Sequence, residues 1–149
     1  MNSYNNFPPG LRSKALNWLK KEYAEGRRLP PTICDACGQT HGIVEAHSED
    51  YSEPFGDHIG QFGLCFTCHM MVHCRFKNRE AFDRYVDAIS KGGVFTGFTS
   101  RNFPLFRSLF LGPKFPKTEN KNKSIRRLLV AIDQGIYNPY SPKYVGRET

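Results

Sequence analysis

The chain has 149 residues, 39% of them hydrophobic, which is enough for one compact domain or for a small core with helical extensions. No apolar run approaches the roughly 18 residues of a membrane-spanning helix, and the N-terminus lacks the basic start and apolar run of a signal peptide. We therefore expect a soluble cytoplasmic protein with no membrane partner. Five cysteines in such a protein indicate metal ligands before disulfides, because the cytosol keeps thiols reduced.

The net charge of +7 is unevenly distributed along the sequence. Residues 1–30 hold six Lys/Arg and two acidic residues, residues 31–74 hold six acidic residues and no Lys or Arg, and residues 75–149 hold fifteen Lys/Arg and six acidic residues. An acidic centre that attracts cations thus lies between two basic arms with net charges of +4 and +9. Scattered lysines often serve solubility alone, but this segregation favours a polyanionic partner.

The first predicted element is a helix in the basic N-terminal arm, residues 1–30. Apolar residues recur at every fourth position from Leu11, two prolines precede the pattern, and Gly26 can end it. The opposite face of this helix carries basic residues, including Lys20 and Lys21. That face is either solvated or turned towards phosphates, and the sequence leaves both interpretations open.

The central segment, residues 31–76, is predicted to contain two strands followed by a helix. Residues 42–47 (GIVEAH) have the pattern of a strand, and residues 58–64 (HIGQFGL) can return as a second strand. Residues 65–76 (CFTCHMMVHCRF) then favour a short helix. With the flanking helices, this order predicts a small α+β fold.

The basic C-terminal extension, residues 77–149, is predicted to be mainly helical. Asn78 can cap one helix that a Gly-Gly pair ends, and the spacing of its apolar residues predicts a buried stripe of Phe82, Tyr85, Val86 and Ile89. Ser124 can cap another helix that Gly135 ends, with an apolar stripe that includes Leu128, Leu129 and Ile132. Phenylalanines alternate with basic residues between these helices, a composition that can stack on bases but is more often simply core. The Pro-rich tail from residue 137 is predicted to be irregular.

Two Cys-x-x-Cys pairs give the strongest signal in the sequence. Each pair forms a tight knuckle that can direct two sulfurs at one ion, and two knuckles complete a tetrahedral zinc site. Gly38 follows the first knuckle, and the gap between the pairs is longer than in compact zinc ribbons, so a folded insertion is expected. Four protein ligands leave no open position, which predicts a structural zinc. Its ligands are expected to be Cys34, Cys37, Cys65 and Cys68.

Three histidines form a second candidate metal site. His69 and His73 stand four residues apart, so both imidazoles project from one face of a helix and can share an ion. The predicted strand–loop–strand–helix order can bring His47 over them. A histidine pair on a helix is often incidental, but three histidines around a four-cysteine frame favour a second metal.

The segments ICDACG, VEAHSEDYSEP and LCFTCHMMVH together resemble the HNH, or His-Me finger, nucleases, in particular the subgroup with a four-cysteine zinc. The match covers about residues 31–76 and is similar to a pattern common among phage and bacterial HNH proteins. The resemblance implies a ββα-metal finger in which His47, His69 and His73 bind a catalytic divalent ion (Mg, Mn, Ni or Zn). It also implies phosphodiester hydrolysis, with a histidine beside the first ligand as general base.

The sequence departs from this family at the general base. The residues AH before it and EDYS after it align on both sides, so the base position holds Ser48, whose hydroxyl does not titrate near neutral pH. His58, in the loop FGDHIG, is the candidate substitute base. Asp50 is better suited to orient His47 or another metal ligand through a hydrogen bond. Weaker candidates for the base are His41, Glu49 and Asp50.

We therefore expect an HNH-like endonuclease that hydrolyses DNA, most simply double-stranded DNA, and a homodimer is compatible with the sequence. The alternative is a catalytically silent HNH-derived zinc module that binds nucleic acid or a protein. A zinc scaffold without a nucleic-acid role is disfavoured by the basic flanks. Cys74 is either a buried free thiol or an extra ligand beside His73. The residues expected to contact nucleic acid are Lys20, Lys21, Arg75, Arg126 and Arg127.

Overall fold

A computed structural model describes residues 1–120 and 127–135. Within these ranges the chain forms an α+β fold with five α-helices, which confirms the predicted class at this level. None of the helices in these ranges is both long and apolar enough to cross a bilayer. The elements in chain order are α1 Pro9–Ala24, β1 Val44–His47, β2 Phe62–Cys65, α2 Phe66–Cys74, α3 Arg79–Ser90, β3 Gly93–Val94, α4 Phe103–Phe106, a π-helical turn Arg107–Leu111, β4 Glu119–Asn120 and α5 Leu128–Gln134.

Helix α1 begins and ends close to the predicted signals. Pro9 is its first residue, where a helix does not use the backbone N–H that proline lacks. Gly26 adopts a φ of +74° just beyond the helix end. Ala15 and Leu19 are buried against Ile59 in a small apolar cluster. This cluster places α1 against the loop that connects β1 to β2.

The central sheet pairs β1 antiparallel with β2, so that His47 at the end of β1 lies opposite Phe62 at the start of β2. Every residue of β2 is buried. Helix α2 follows without a loop, because Cys65 ends the strand and its sulfur accepts a hydrogen bond from the backbone N–H of Cys68 at 3.4 Å. The order β1, β2, α2 is the strand–loop–strand–helix order predicted from the sequence.

The second strand is shorter than predicted. It begins at Phe62 and not at residue 58, because residues 57–60 form a turn. Gly60 ends this turn with a φ of +63°, a conformation that glycine adopts without a steric penalty. His58 therefore belongs to the connecting loop and not to the sheet.

The main hydrophobic core joins the cysteine-bearing centre to the C-terminal helices. In α3 the side chain of Asn78 accepts a hydrogen bond from the N–H of Ala81 at 3.1 Å, so the predicted cap is present. Phe82, Tyr85 and Ile89 of this helix are fully buried, as their spacing predicted. They pack beside the start of α2, which carries the second cysteine pair.

Phenylalanines between α3 and residue 115 contribute mainly to this core. Phe95, Phe106 and Phe110 are buried, and the ring centroid of Phe110 lies 5.0 Å from that of Phe95 and 5.6 Å from that of Phe106. Phe103 is the most exposed of these phenylalanines, with 39% of its surface accessible to solvent. Core packing, which the sequence favoured over base stacking, therefore accounts for most of them.

Helix α5 buries its predicted apolar stripe in the same core. It ends where predicted, with Gly135 in the left-handed region at a φ of +71°. Its predicted cap, Ser124, and the Pro-rich tail lie outside the described residues. The central segment and the described part of the C-terminal extension thus share one apolar cluster.

Candidate functional site

Four buried cysteines lie close together where the first knuckle meets the start of α2. Their sulfur atoms are all within 4.8 Å of one another, and Cys37 Sγ is 3.8 Å from Cys65 Sγ. Two sulfurs bonded at about 2.3 Å to one tetrahedral zinc ion are separated by about 3.8 Å. The cluster can therefore hold a metal such as zinc. Its members are Cys34, Cys37, Cys65 and Cys68.

Backbone groups position the sulfurs within each knuckle. The N–H of the second cysteine faces the sulfur of the first, at 3.5 Å from Cys37 to Cys34 and at 3.4 Å from Cys68 to Cys65. Gly38 closes the first knuckle with a φ of +80° and donates its N–H to the carbonyl of Cys34 at 2.8 Å. Both knuckles therefore hold their sulfurs in a fixed direction.

The crowded thiols do not all ionise together. Burial raises the pKa of Cys34, but hydrogen bonds with Cys37, Cys65 and Cys68 lower it overall, so Cys34 is the thiol that ionises first. Burial raises the pKa of Cys68, and its contact with Cys34 raises that pKa further. Contacts with Cys34 and Cys37 raise the pKa of Cys65. Tyr85 places its hydroxyl 3.0 Å from Cys68 Sγ, where it can donate to a thiolate. A divalent cation would reverse this repulsion, because it binds cysteine in the thiolate form.

Three histidines meet between the end of β1 and one face of α2. His47 ends the strand, while His69 and His73 lie one turn apart on the helix. One ring nitrogen from each lies within 4.8 Å of the other two, and His69 Nε2 is 3.1 Å from His73 Nε2. Two nitrogens bonded at 2.0–2.1 Å to one ion are about 3 Å apart. The fold thus brings together the three histidines that the sequence singled out.

Burial keeps these imidazoles neutral. It lowers the pKa of His47 and of His69 to about 4, and that of His73 to about 2. The neighbouring rings of His47 and His69 add to the effect on His73. Neutral imidazole has the lone pair that a metal ion requires, so the site favours the metal-binding form at neutral pH.

Carboxylates contact two of these rings. His69 Nδ1 lies 3.2 Å from Glu45 Oε1, which leaves His69 Nε2 to face His73. His47 Nε2 lies 2.5 Å from Glu49 Oε2. The other ring nitrogen of His47, Nδ1, is buried and has no hydrogen-bond partner in the described part of the chain.

Glu49 is the centre of a buried polar cluster that the sequence did not reveal. Arg75 Nη2 donates to Glu49 Oε1 at 2.9 Å, and the Tyr4 hydroxyl donates to Glu49 Oε2. Arg75 Nη1 also donates to the Tyr4 hydroxyl at 2.6 Å. Burial opposes the ionisation of Glu49, but the contacts with His47 and the charge of Arg75 lower its pKa overall. Glu49 is therefore held as a carboxylate behind His47.

The prediction that Asp50 orients His47 is wrong, because Glu49 occupies that place. Asp50 Oδ1 instead accepts a hydrogen bond from the backbone N–H of Ser52 at 2.8 Å, within its own loop. In an extended chain, residues two apart face the same side. The spacing of two residues between His47 and Glu49 is therefore a signal that could have identified Glu49 in place of Asp50.

The prediction that Arg75 contacts nucleic acid is also wrong. Its side chain is only 3% exposed and is committed to Glu49 and Tyr4. The remaining predicted contact residues are exposed where they are described, and they are Lys20, Lys21 and Arg127. Arg126 lies outside the described residues.

Neither candidate base forms a hydrogen bond with the three histidines in the described part of the chain. Ser48 is 5% exposed, and its Oγ accepts a hydrogen bond from the N–H of Gly60 at 2.6 Å. His58 Nε2 lies 2.7 Å from the carbonyl oxygen of Ser52. His41 is exposed.

A cleft of about 780 Å³ opens beside the histidines. His69, His73 and Ser48 contribute to its wall. So do three basic side chains, those of Arg12, Lys20 and Arg101. The guanidinium of Arg12 lies 5.3 Å from the ring centroid of Tyr4 and 5.1 Å from that of Tyr51, so two aromatic rings hold it at the cleft. Basic side chains and two of the three clustered histidines therefore share one cleft.

Cys74 belongs to neither cluster in the described ranges. It is partly buried against the main core, and burial raises its pKa. A raised pKa disfavours the thiolate, so this thiol is suited to packing more than to reaction or metal binding.

The chain matches no protein-family model, no curated protein and no solved structure. Fold and site therefore define its class directly: a small α+β protein with a buried four-cysteine cluster that can bind a metal such as zinc.

Proposed function

We propose that this protein is an HNH-like, metal-dependent endonuclease that acts on DNA. The observation that carries the proposal is the convergence of three histidine ring nitrogens beside a cleft lined with basic residues. Two of these histidines, His69 and His73, belong to the wall of the cleft. The order β1, β2, α2 around a four-cysteine cluster supports a ββα-metal finger, the fold that the sequence resemblance implies.

Both clusters fit the metals proposed for them. The sulfur spacing of 3.8 Å between Cys37 and Cys65 suits a structural zinc. The neutral imidazoles, the 3.1 Å separation of His69 Nε2 from His73 Nε2, and the unpartnered His47 Nδ1 suit a second divalent ion, which we take to be Mg, Mn, Ni or Zn.

In this mechanism the protein binds and orients the phosphodiester backbone at the cleft. A divalent ion at the histidines would stabilise the charge that develops on the scissile phosphate. Lys20 and Arg12 can bind the phosphates on either side, because such contacts set the register of a nucleic acid on a protein. Arg101 donates to Glu45, which in turn contacts His69. Arg101 therefore links the basic wall of the cleft to a metal ligand.

Proton transfer is the step for which the site is least equipped. At the position of the family's general base, Ser48 has no titratable group near neutral pH, and its Oγ is already bonded to the N–H of Gly60. His58 is bonded to the carbonyl of Ser52 and is not among the described residues that line the cleft. These contacts favour a second candidate function: a catalytically silent module that keeps its metals for folding and binds nucleic acid through the cleft.

Plasmid cleavage distinguishes the two functions. Wild type, His73→Ala and the surface control Lys91→Ala are incubated with supercoiled DNA, single-stranded DNA and RNA in Mg, Mn, Ni or Zn, and bound metal is measured for each. The nuclease proposal expects cleavage by wild type and Lys91→Ala but not by His73→Ala. An inert wild type that binds DNA would favour the silent module, and a wild type that neither cleaves nor binds nucleic acid would reject both.

A further inference from the structure

The carboxylate of Glu49 accepts hydrogen bonds from three donors and also contacts the ring of His47. Its Oε1 accepts from Arg75 Nη2 and from the side-chain amide of Asn5, both at 2.9 Å. Its Oε2 accepts from the Tyr4 hydroxyl and lies 2.5 Å from His47 Nε2. No part of this cluster contributes to the nuclease chemistry proposed above, yet it lies directly behind a metal ligand.

The hydrogen bonds determine which nitrogen of His47 carries its proton. Arg75 Nη1 donates to the Tyr4 hydroxyl, so the single hydroxyl proton of Tyr4 is directed to Glu49. A carboxylate can only accept, and the proton between Glu49 and His47 must therefore be on His47 Nε2. The lone pair of this ring is then on Nδ1, the buried nitrogen without a partner.

We infer that Glu49 is a positioning residue of the histidine metal site: it fixes the proton of His47 on Nε2 and leaves Nδ1 as the atom that binds the ion. This inference rests on the proposed second metal. Outer carboxylates of this kind fix the tautomer and the ring orientation of histidine ligands, and their loss typically costs about 10–100-fold in metal affinity.

The N-terminal segment is part of this arrangement. Tyr4 is buried, its hydroxyl contacts Glu49, and its ring lies 4.7 Å from the ring of His73. Asn5 donates both to the side chain and to the backbone carbonyl of Glu49. Residues 4–5 thus hold Glu49 in place beside the histidines, so metal affinity is expected to depend on a segment that supplies no ligand.

The experiment measures zinc affinity and the His47 tautomer in the full chain. Zinc affinity at the histidine site is obtained by chelator competition, and long-range ¹H–¹⁵N spectra of protein with that site emptied report which ring nitrogen is protonated.

In Glu49→Gln, Arg75 retains its hydrogen bond to the amide oxygen, so the amide NH₂ faces His47 and shifts the proton of His47 to Nδ1. We expect about 10–100-fold weaker zinc binding in this variant. Asp50→Asn, which alters the adjacent carboxylate, is expected to bind zinc like wild type.

In Glu49→Gln the buried charge of Arg75 loses its negatively charged partner, and this loss alone could destabilise the protein. A second variant controls for that effect. The double variant Glu49→Leu/Arg75→Met removes both buried charges together, a change that proteins often tolerate. It is expected to fold and still to bind zinc about 10–100-fold more weakly. Wild-type affinity in this variant, or a zinc-induced shift at His47 Nε2 in wild type, would overturn the inference. A wild type that binds two metals but cleaves nothing would reject only the nuclease proposal, and one without a second metal would reject both.

Discussion

The hydroxyl of Ser48 accepts a hydrogen bond from the backbone N–H of Gly60 at 2.6 Å. This contact ties the residue after β1 to the turn before β2, and it fills the acceptor position of the hydroxyl with a backbone group. Ser48 is therefore part of the frame of the β1–β2 loop, although it borders the cleft beside His69 and His73. A residue in this position helps to shape the site without moving a proton.

Replacing one cysteine tests the proposed structural zinc. The cysteine cluster lies within the main core, so metal binding there is coupled to folding, on the order of 10 kcal/mol for sites of this kind. Cys37→Ser is expected to lose zinc and to behave as a partly unfolded chain in thermal melts and in metal analysis. Cys74→Ser is the matched control, because Cys74 lies outside the cluster. Equal zinc content and melting temperature in Cys37→Ser and wild type would contradict the assignment.

Salt dependence tests the basic wall of the cleft. Binding to duplex DNA releases condensed counterions, so affinity should fall steeply as salt rises, with a slope of about 0.9 for each phosphate contact. Lys20→Ala and Arg12→Ala are each expected to reduce that slope by about one unit. Lys91→Ala is the control, since Lys91 is paired with Asp87 on α3 and is not among the residues of the cleft wall. A slope that all three variants leave unchanged would place the DNA elsewhere on the protein.

The three histidines make stability depend on pH when no divalent ion is bound to them. Their pKa values are lowered from 6.5 to about 4 for His47 and His69 and to about 2 for His73. Below about pH 6.5 the unfolded chain therefore binds more protons than the folded chain. The free energy of unfolding is highest above that pH and is expected to fall by about 1.4 kcal/mol per pH unit per histidine as the pH decreases towards 4.

Urea unfolding of protein that carries zinc at the cysteine cluster but no ion at the histidines, between about pH 7 and pH 5, measures this loss. His73→Phe removes one of the three groups and should give a shallower dependence on pH than wild type. Identical slopes for the two proteins would show that His73 does not resist protonation in the folded state.

Both the cysteine cluster and the histidine cluster were predictable because their signals are local. A Cys-x-x-Cys pair implies a knuckle, and histidines four apart on a helix share a face, so each half of a site is present in a few consecutive residues. The two halves of each site come together once β2 pairs antiparallel with β1. The start of β2 was misplaced, since Gly60 ends the preceding turn at a positive φ and pairing begins only afterwards.

The cluster behind His47 could not be predicted in the same way. Tyr4 precedes His47 by 43 residues, and no spacing rule joins an N-terminal tyrosine to a strand end. Arg75 was assigned to the surface because it begins a basic stretch of sequence, whereas the fold buries it against Glu49. Net charge indicates which kind of partner a protein binds, but burial decides which of its basic side chains can contact that partner.

The last prediction concerns the missing general base. A positioned base contributes about 10²–10⁴-fold to the rate of such reactions. Ser48 has no group that titrates near neutral pH, and His58 is not among the described residues that line the cleft. Ser48→His would place an imidazole at the base position of the HNH family, beside the proposed metal site. We expect it to increase metal-dependent cleavage of plasmid DNA by about 10²-fold or more if wild type is limited by proton transfer.

His58→Ala separates this expectation from the use of a substitute base. If the His58 ring leaves Ser52 and acts as the base, His58→Ala abolishes wild-type cleavage while metal content stays unchanged, and Ser48→His adds little. If no substitute exists, His58→Ala cleaves like wild type and Ser48→His alone raises the rate. Because Ser48→His also removes the hydrogen bond to Gly60, its melting temperature is compared with that of Ser48→Ala, which loses the same contact. A folded, metal-loaded Ser48→His that remains as inert as wild type on every substrate would leave the silent binding module as the function of this site.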